Sequence, residues 1–242
     1  MDTKKIVKDK YSQIAKQQSK GCGCSCSCSD NIFQNIGYSE EQLQQVGEAD
    51  LGLGCGNPVA FSSIKEGNTV IDLGSGAGID CFLAAKKVGD KGKVIGIDFT
   101  EEMVTKAKAN AAKDNIHNVE FILADIDTLP LPDNSADIII SNCVINLAPD
   151  KAKVFQEAFR VLKPGGQIFV SDIVLLEELS EEQKKDQELL AGCVGGALLR
   201  DDYINIAKQA GFQVKILNEN KAISKQQYQG IPLESLLLAG IK

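Results

Sequence analysis

The chain of 242 residues has no tryptophan, a single histidine and no excess of positive charge. Twenty-six basic residues face 33 acidic ones, a net charge of −7. That balance argues against a nucleic-acid partner, because binding a polyanion takes a clustered basic face. No apolar stretch approaches the roughly 20 residues that a membrane-crossing helix needs. The opening MDTKKIVKDK is charged and the residues after it are polar, without the apolar core of a signal peptide. These absences lead to the expectation of a soluble, cytoplasmic protein with neither membrane nor nucleic-acid partners. Cysteine, by contrast, is abundant, with eight residues. In a reducing compartment they do not suggest a disulfide framework, so metal, metalloid or redox chemistry is expected. With 43% hydrophobic residues, the chain can bury a sizeable core as one large domain or one domain with extensions.

Residues 1–58 read as a Cys-rich N-terminal extension and loop. Within them the tract GCGCSCSC at 21–28 carries Cys22, Cys24, Cys26 and Cys28 and offers no core-forming surface. Helices are expected on either side, at Tyr11–Gln18 and Ser39–Val46, the second opened by a capping box of Ser39 and Gln42. The glycine-rich stretch ADLGLGCGNP (49–58) then leads into a central unit, 59–176, and a C-terminal unit, 177–242.

From about residue 67 strands and helices alternate. Strands are expected at Thr69–Leu73, Lys93–Ile97, Val119–Leu123, Ala136–Ser141 and, after a KPGG turn at 163–166, Gln167–Ser171. Helices are expected at Gly78–Val88, from a Thr100 cap to Lys113, and at Asp150–Leu162. Further helices fall at Ser180–Leu190 and Asp201–Ala210, and two last strands at Gln213–Leu217 and Glu234–Ile241. Near-continuous apolar strands separated by helices imply a parallel sheet covered on both faces, a doubly wound α/β fold. The last two strands have no helix between them and suggest an antiparallel pair at the C-terminal edge.

The loop Asp72-Leu73-Gly74-Ser75-Gly76-Ala77-Gly78 stands between a strand and a helix, where glycines allow a tight turn and close approach to a ligand. Asp98, which closes the second strand, is placed to bind ribose hydroxyls. A dinucleotide fingerprint would need Gly or Ala at Ile79. The spacing G-x-G-x-G with a leading acid instead resembles the first motif of class I S-adenosylmethionine-dependent methyltransferases, a Rossmann-like fold. The resemblance implies cofactor contacts from Asp72, Gly74, Ser75, Gly76, Gly78, Asp98, Phe99, Met103, Asp125, Ile126 and Asn142, with the Ala124-Asp125-Ile126 stretch at the adenine.

Outside the tract, Cys81 falls on the apolar side of a helix and reads as a small buried hydrophobe. Cys143 follows the fourth strand at its carboxyl end, where open α/β sheets bind ligands. Cys55 and Cys193 sit between glycines, in loops that read as exposing their thiols. No second histidine and no C-x2-C pair accompany these three, so soft-ion ligation fits better than structural zinc.

Four blocks in order, Gly54–Pro58, Asp72–Gly78, Ser141–Lys151 (SNCVINLAPDK) and Cys193–Leu198 (CVGGAL), resemble the arsenite methyltransferase family. The resemblance implies that Cys143 and Cys193 hold trivalent arsenic, with Cys55 as a third, participating thiol. A fourth family thiol corresponds to one of Cys22, Cys24, Cys26 and Cys28, and four closely spaced cysteines there depart from the family pattern. It further implies methyl transfer from S-adenosylmethionine to arsenite for detoxification, no permanent metal cofactor, and a thiol reductant such as thioredoxin or glutathione. A lone pair on arsenic carries no proton, so no general base is required and His117, in a polar turn, reads as solvated. Two other readings stand beside this one: methylation of a small organic substrate with incidental cysteines, or a Cys-rich soft-metal module on a methyltransferase scaffold.

Overall fold

The computed structural model describes residues 3–16, 38–39, 41–42, 46, 49, 51, 53–223, 228 and 230–242. The cysteine tract at 22–28, and positions 17 and 18 of the helix expected over 11–18, lie outside them.

Five strands form the parallel part of the sheet: β1 (Thr69–Leu73), β2 (Lys93–Asp98), β3 (Val119–Leu123), β4 (Ala136–Asn142) and β5 (Leu162–Leu175). Two more, β6 (Gln213–Asn220) and β7 (Leu233–Ile241), complete a seven-stranded sheet of order β3-β2-β1-β4-β5-β7-β6. β7 pairs antiparallel with both β5 and β6, so the expected antiparallel C-terminal pair does close one edge. Four of the five β1 residues and five of the six in β2 are buried, as the unbroken apolar runs require. Helices cover both faces and build two cores.

The described helices are α1 (Thr3–Lys16), α2 (Pro58–Phe61), α3 (Ile79–Val88), α4 (Glu101–Lys113), α5 (Lys151–Val161), α6 (Gln187–Ala191) and α7 (Arg200–Gln209). α1 begins eight residues before the expected Tyr11 start. Val7, Tyr11 and Ile14 share one face of α1 at helical spacing and turn inward. Its polar side is tied down: Lys4 pairs with Asp125 at 2.8 Å, Lys16 with Glu102 at 2.9 Å, and Ser12 donates to Glu102 at 2.9 Å.

Three local expectations need correction. Thr100 occupies the N-cap of α4, yet its hydroxyl makes no cap bond and is buried without a partner. The helix expected over Ser180–Leu190 is broken at Asp186, whose extended backbone (ψ 121°) and carboxylate, accepting from the amides of Glu188 and Leu189, start α6 instead. Residues 163–166 are a bulge inside β5 between the pairs Ala136–Leu162 and Ile138–Gln167, because β5 runs on to Leu175 against β7. The capping box of Ser39 and Gln42 is present, each amide bonded to the other's side chain at 2.9 and 3.1 Å.

Candidate active site

The strand order reverses between β1 and β4, and the carboxyl ends of these two strands open the crevice where α/β sheets bind ligands. The glycine loop leaves β1 there. Gly74, Gly76 and Gly78 have φ of +74°, +51° and +101°, conformations that L side chains rarely adopt. A Cβ on Gly74 would stand 2.3 Å from Val144, so the missing side chain also lets the segment after β4 pack directly on the loop.

Asp98 is fixed by this loop, accepting from the Gly76 amide at 3.0 Å and the Thr100 amide at 2.8 Å. Asp72 accepts from the Cys81 thiol at 3.2 Å, so Cys81, though wholly buried on α3, is also a polar group facing the loop. Asp80, in the first turn of α3, accepts from the Tyr38 hydroxyl at 2.8 Å and from Asn142 at 3.1 Å. All three carboxyls are buried. Burial raises Asp72 well above the ordinary carboxylate range, lifts Asp80 to about 6 and raises Asp98. Each carboxyl is held by hydrogen-bond donors, with no described cation among the groups acting on it. Three buried acids around a glycine loop favour a ligand that brings positive charge. The sulfonium and ammonium groups of S-adenosylmethionine meet that requirement. At the far end, Lys4, Lys8, Phe99, Leu123 and Asp125 border a cleft of about 440 Å³. Met103, on α4, is fully buried. A larger groove, about 840 Å³, lies at the amino-terminal ends of β2 and β3 beside exposed His117, the end of the strands opposite these groups.

Three thiols gather next to the loop. Cys143 follows β4 with φ +59°, and Cys193 follows α6 with φ +69°, both in left-handed backbone unusual for a β-carbon residue. The Cys193 thiol donates to the Cys143 carbonyl at 2.8 Å. Cys55 approaches from the other side, its sulfur 3.5 Å from the Ser171 carbonyl that also accepts from the Cys143 amide at 2.8 Å. Its own carbonyl accepts from Ser235 at 2.7 Å. None of these thiols is exposed, contrary to the expectation for Cys55 and Cys193: they are 2%, 9% and 4% accessible at Cys55, Cys143 and Cys193. The glycines around them allow close packing; a Cβ on Gly56 would collide with Ser171. Cys143 is pushed well above the ordinary thiol range by the Cys193 and Cys55 thiols beside it and by burial, and Cys55 is raised mainly by burial.

Groups unremarked in the sequence complete the site. Asp172, on β5, lies with the Cys55 and Cys143 sulfurs so that all three donor atoms are within 4.8 Å of one another. It accepts from Tyr203 at 2.9 Å and from the Asn146 side chain at 2.9 Å, and burial lifts it to about 7. One acid inside the apolar run FVSDIVL was the signal for it. Tyr11 of α1 and Tyr228 close in on the thiols; both phenols are raised by burial and then by nearby cysteines, Cys193 foremost for Tyr11 and Cys143 for Tyr228. Helical spacing alone placed Tyr11 in no site.

A sheet of this order, with an acid-flanked glycine loop at its switch point, defines a class I methyltransferase fold, and a methyltransferase-domain family model matches residues 64–211. The arsenite methyltransferase of Halobacterium salinarum is 44% identical over 225 residues, 88% of this chain and 58% of that protein. The human arsenite methyltransferase is 37% identical over 227 residues, 87% of this chain and again 58% of the relative. A crystal structure of an arsenic(III) S-adenosylmethionine methyltransferase from Chlamydomonas reinhardtii superposes with a TM-score of 0.66 at 33% identity, covering 87% of this chain and 73% of that one. The chain belongs to the arsenite methyltransferase family. It spans under three fifths of the length of the first two relatives. Among the described residues no helix is long and apolar enough to cross a membrane.

Proposed function

We propose that this chain transfers a methyl group from S-adenosylmethionine to trivalent arsenic held by Cys143, Cys193 and Cys55. The observation that carries this reading is the meeting of two left-handed cysteines and a third buried thiol at the cofactor edge of the sheet. Soft thiolates suit a soft centre. As each thiol replaces an arsenic hydroxyl, its proton leaves with that hydroxyl as water, which removes the cost of holding buried thiolates unpaired. The three sulfurs fix a trigonal pyramid whose lone pair is the nucleophile.

S-adenosylmethionine supplies an electrophilic methyl group on a sulfonium. Asp72 and Asp98, with the backbone of Gly74, Ser75, Gly76 and Gly78, hold the cofactor; Phe99, Met103, Asp125 and Ile126 serve its adenosine side. The protein's contribution is then positioning, worth up to about 7–11 kcal/mol in favourable intramolecular cases. Methylation formally takes arsenic from trivalent to pentavalent. A cysteine pair including Cys55 returns two electrons, is left as a disulfide, and is reset by exchange with a thiol reductant such as thioredoxin or glutathione.

Incubation with arsenite, thiol and S-adenosylmethionine, followed by arsenic speciation, tests the reading. Methylated arsenic is expected; transfer to an organic acceptor with no arsenic product would replace it.

A further inference from the structure

The Asn142 side chain, at the end of β4, is where four chain segments meet. Its Oδ1 accepts from the Cys55 amide at 3.1 Å. Its Nδ2 donates to the Gly56 carbonyl at 2.8 Å and to Asp80 Oδ2 at 3.1 Å, with the Tyr38 hydroxyl oxygen alongside at 2.9 Å. Tyr38 spends its own proton on Asp80 Oδ1 at 2.8 Å. Gly54, with φ +131°, presses on the same amide: a Cβ there would lie 3.1 Å from Asn142 Nδ2. The backbone on both sides of the Cys55 thiol is therefore held by one side-chain amide.

An amide can face either way, and its orientation is decided by its neighbours. An ionised carboxylate only accepts, so it selects Nδ2. Turned the other way, Asn142 would oppose oxygen to the Asp80 carboxylate and to the Gly56 carbonyl, and present Nδ2 to the Cys55 N–H. Asp80 is buried at 3% exposure, and both its oxygens are engaged by Tyr38 and Asn142. It stands in the first turn of α3, directly after the glycine loop, where a helix N-terminus favours a negative charge.

We propose that Asp80 and Tyr38 are positioning residues for Cys55: they lock the Asn142 amide so that it grips the Gly54–Gly56 loop and holds the Cys55 thiol beside Cys143. The proposal rests on the assignment of Cys55 to the reaction, and it ties the placement of a substrate thiol to the same turn of helix that follows the cofactor loop.

The test is Asp80→Asn in the full chain, with Tyr38→Phe as a milder second variant should the first fold poorly. Alkylation by iodoacetamide, read cysteine by cysteine by peptide mass mapping, is expected to speed up at Cys55 by about tenfold in Asp80→Asn, the loss of a charge-assisted hydrogen bond. Tyr38→Phe shifts it in the same direction by less. Cys81, Cys143 and Cys193 stay within about threefold of the parent. In turnover, kcat falls in both variants, and in Tyr38→Phe, which leaves the three acids in place, the KM for S-adenosylmethionine holds. An unchanged Cys55 rate in both variants, or equal acceleration at all four cysteines, overturns the proposal. The labelling needs no arsenite, so selective release of Cys55 in a chain that makes no methylated arsenic would count against the function and leave the positioning role standing.

Discussion

The Cys81 thiol donates to the Asp72 carboxylate across 3.2 Å, and neither group reaches solvent. A cysteine nine positions along the chain thus favours the charged form of the acid that leads the glycine loop, against burial and the neighbouring charge of Asp80, which raise it. Cys81→Ala removes this donor and should weaken S-adenosylmethionine binding by about tenfold, whereas Cys81→Ser keeps a donor and most of the affinity. Equilibrium dialysis with labelled cofactor measures both; equal losses in the two variants would assign Cys81 to packing alone.

Cys143→Ser and Cys193→Ser should each lower arsenite methylation by at least about 100-fold, since both ligand number and substrate placement suffer. Cofactor affinity should hold within about threefold, because the glycine loop and its acids are untouched. Turnover by arsenic speciation and binding by calorimetry separate the two effects. Arsenite methylation retained in both variants would remove Cys143 and Cys193 from the reaction.

Gly74 and Gly76 both have positive φ, but a Cβ meets Val144 at 2.3 Å from Gly74 and nothing within 4 Å from Gly76. Gly74→Ala should therefore cost about 1–3 kcal/mol from the clash in addition to the backbone strain that Gly76→Ala bears alone, about 1–2 kcal/mol. Urea denaturation of the two variants gives the difference directly. Equal stabilities would mean that the Val144 segment yields freely.

Burial lifts Asp172 to about 7 from an ordinary 3.8. Between these values the native state binds more protons than the unfolded chain, so this group makes stability fall as pH rises, by at most about 1.4 kcal/mol per pH unit. Below the lower value Asp172 has no effect on the slope, and above the upper one its destabilisation is complete. Asp172→Asn should flatten the decline between about pH 4 and pH 7. Denaturant midpoints across that range check it; a slope unchanged by the substitution would remove Asp172 from the balance.

The parallel strands were readable because each is an apolar run ending at an acid, a glycine or a polar turn, and β1 and β3 start and stop where the pattern says. Helix boundaries read less well where a side chain competes with the helix, as Asp186 does by capping α6 from an extended backbone. The three thiols that the structure brings together were picked out by their setting, Cys143 at a strand end and Cys55 and Cys193 between glycines. Their burial was not. Glycine next to a cysteine signals an exposed loop and a tight approach equally well, and only the packing of Ser171 against Gly56 decides between them. Asp172, Tyr203, Asp80 and Tyr38 escaped notice because they act through hydrogen bonds between residues far apart in sequence, |i−j| being 31 for the first pair and 42 for the second.

The left-handed backbone at Cys143 and Cys193 bears on how such a chain ages in a lineage. Glycine at either position would relieve about 1–2 kcal/mol of strain, while giving up a side chain packed in the core. Without use for a thiol, positions 143 and 193 should admit glycine or asparagine with the sheet intact. The backbone at both places is one that favours other residues, and it carries cysteine.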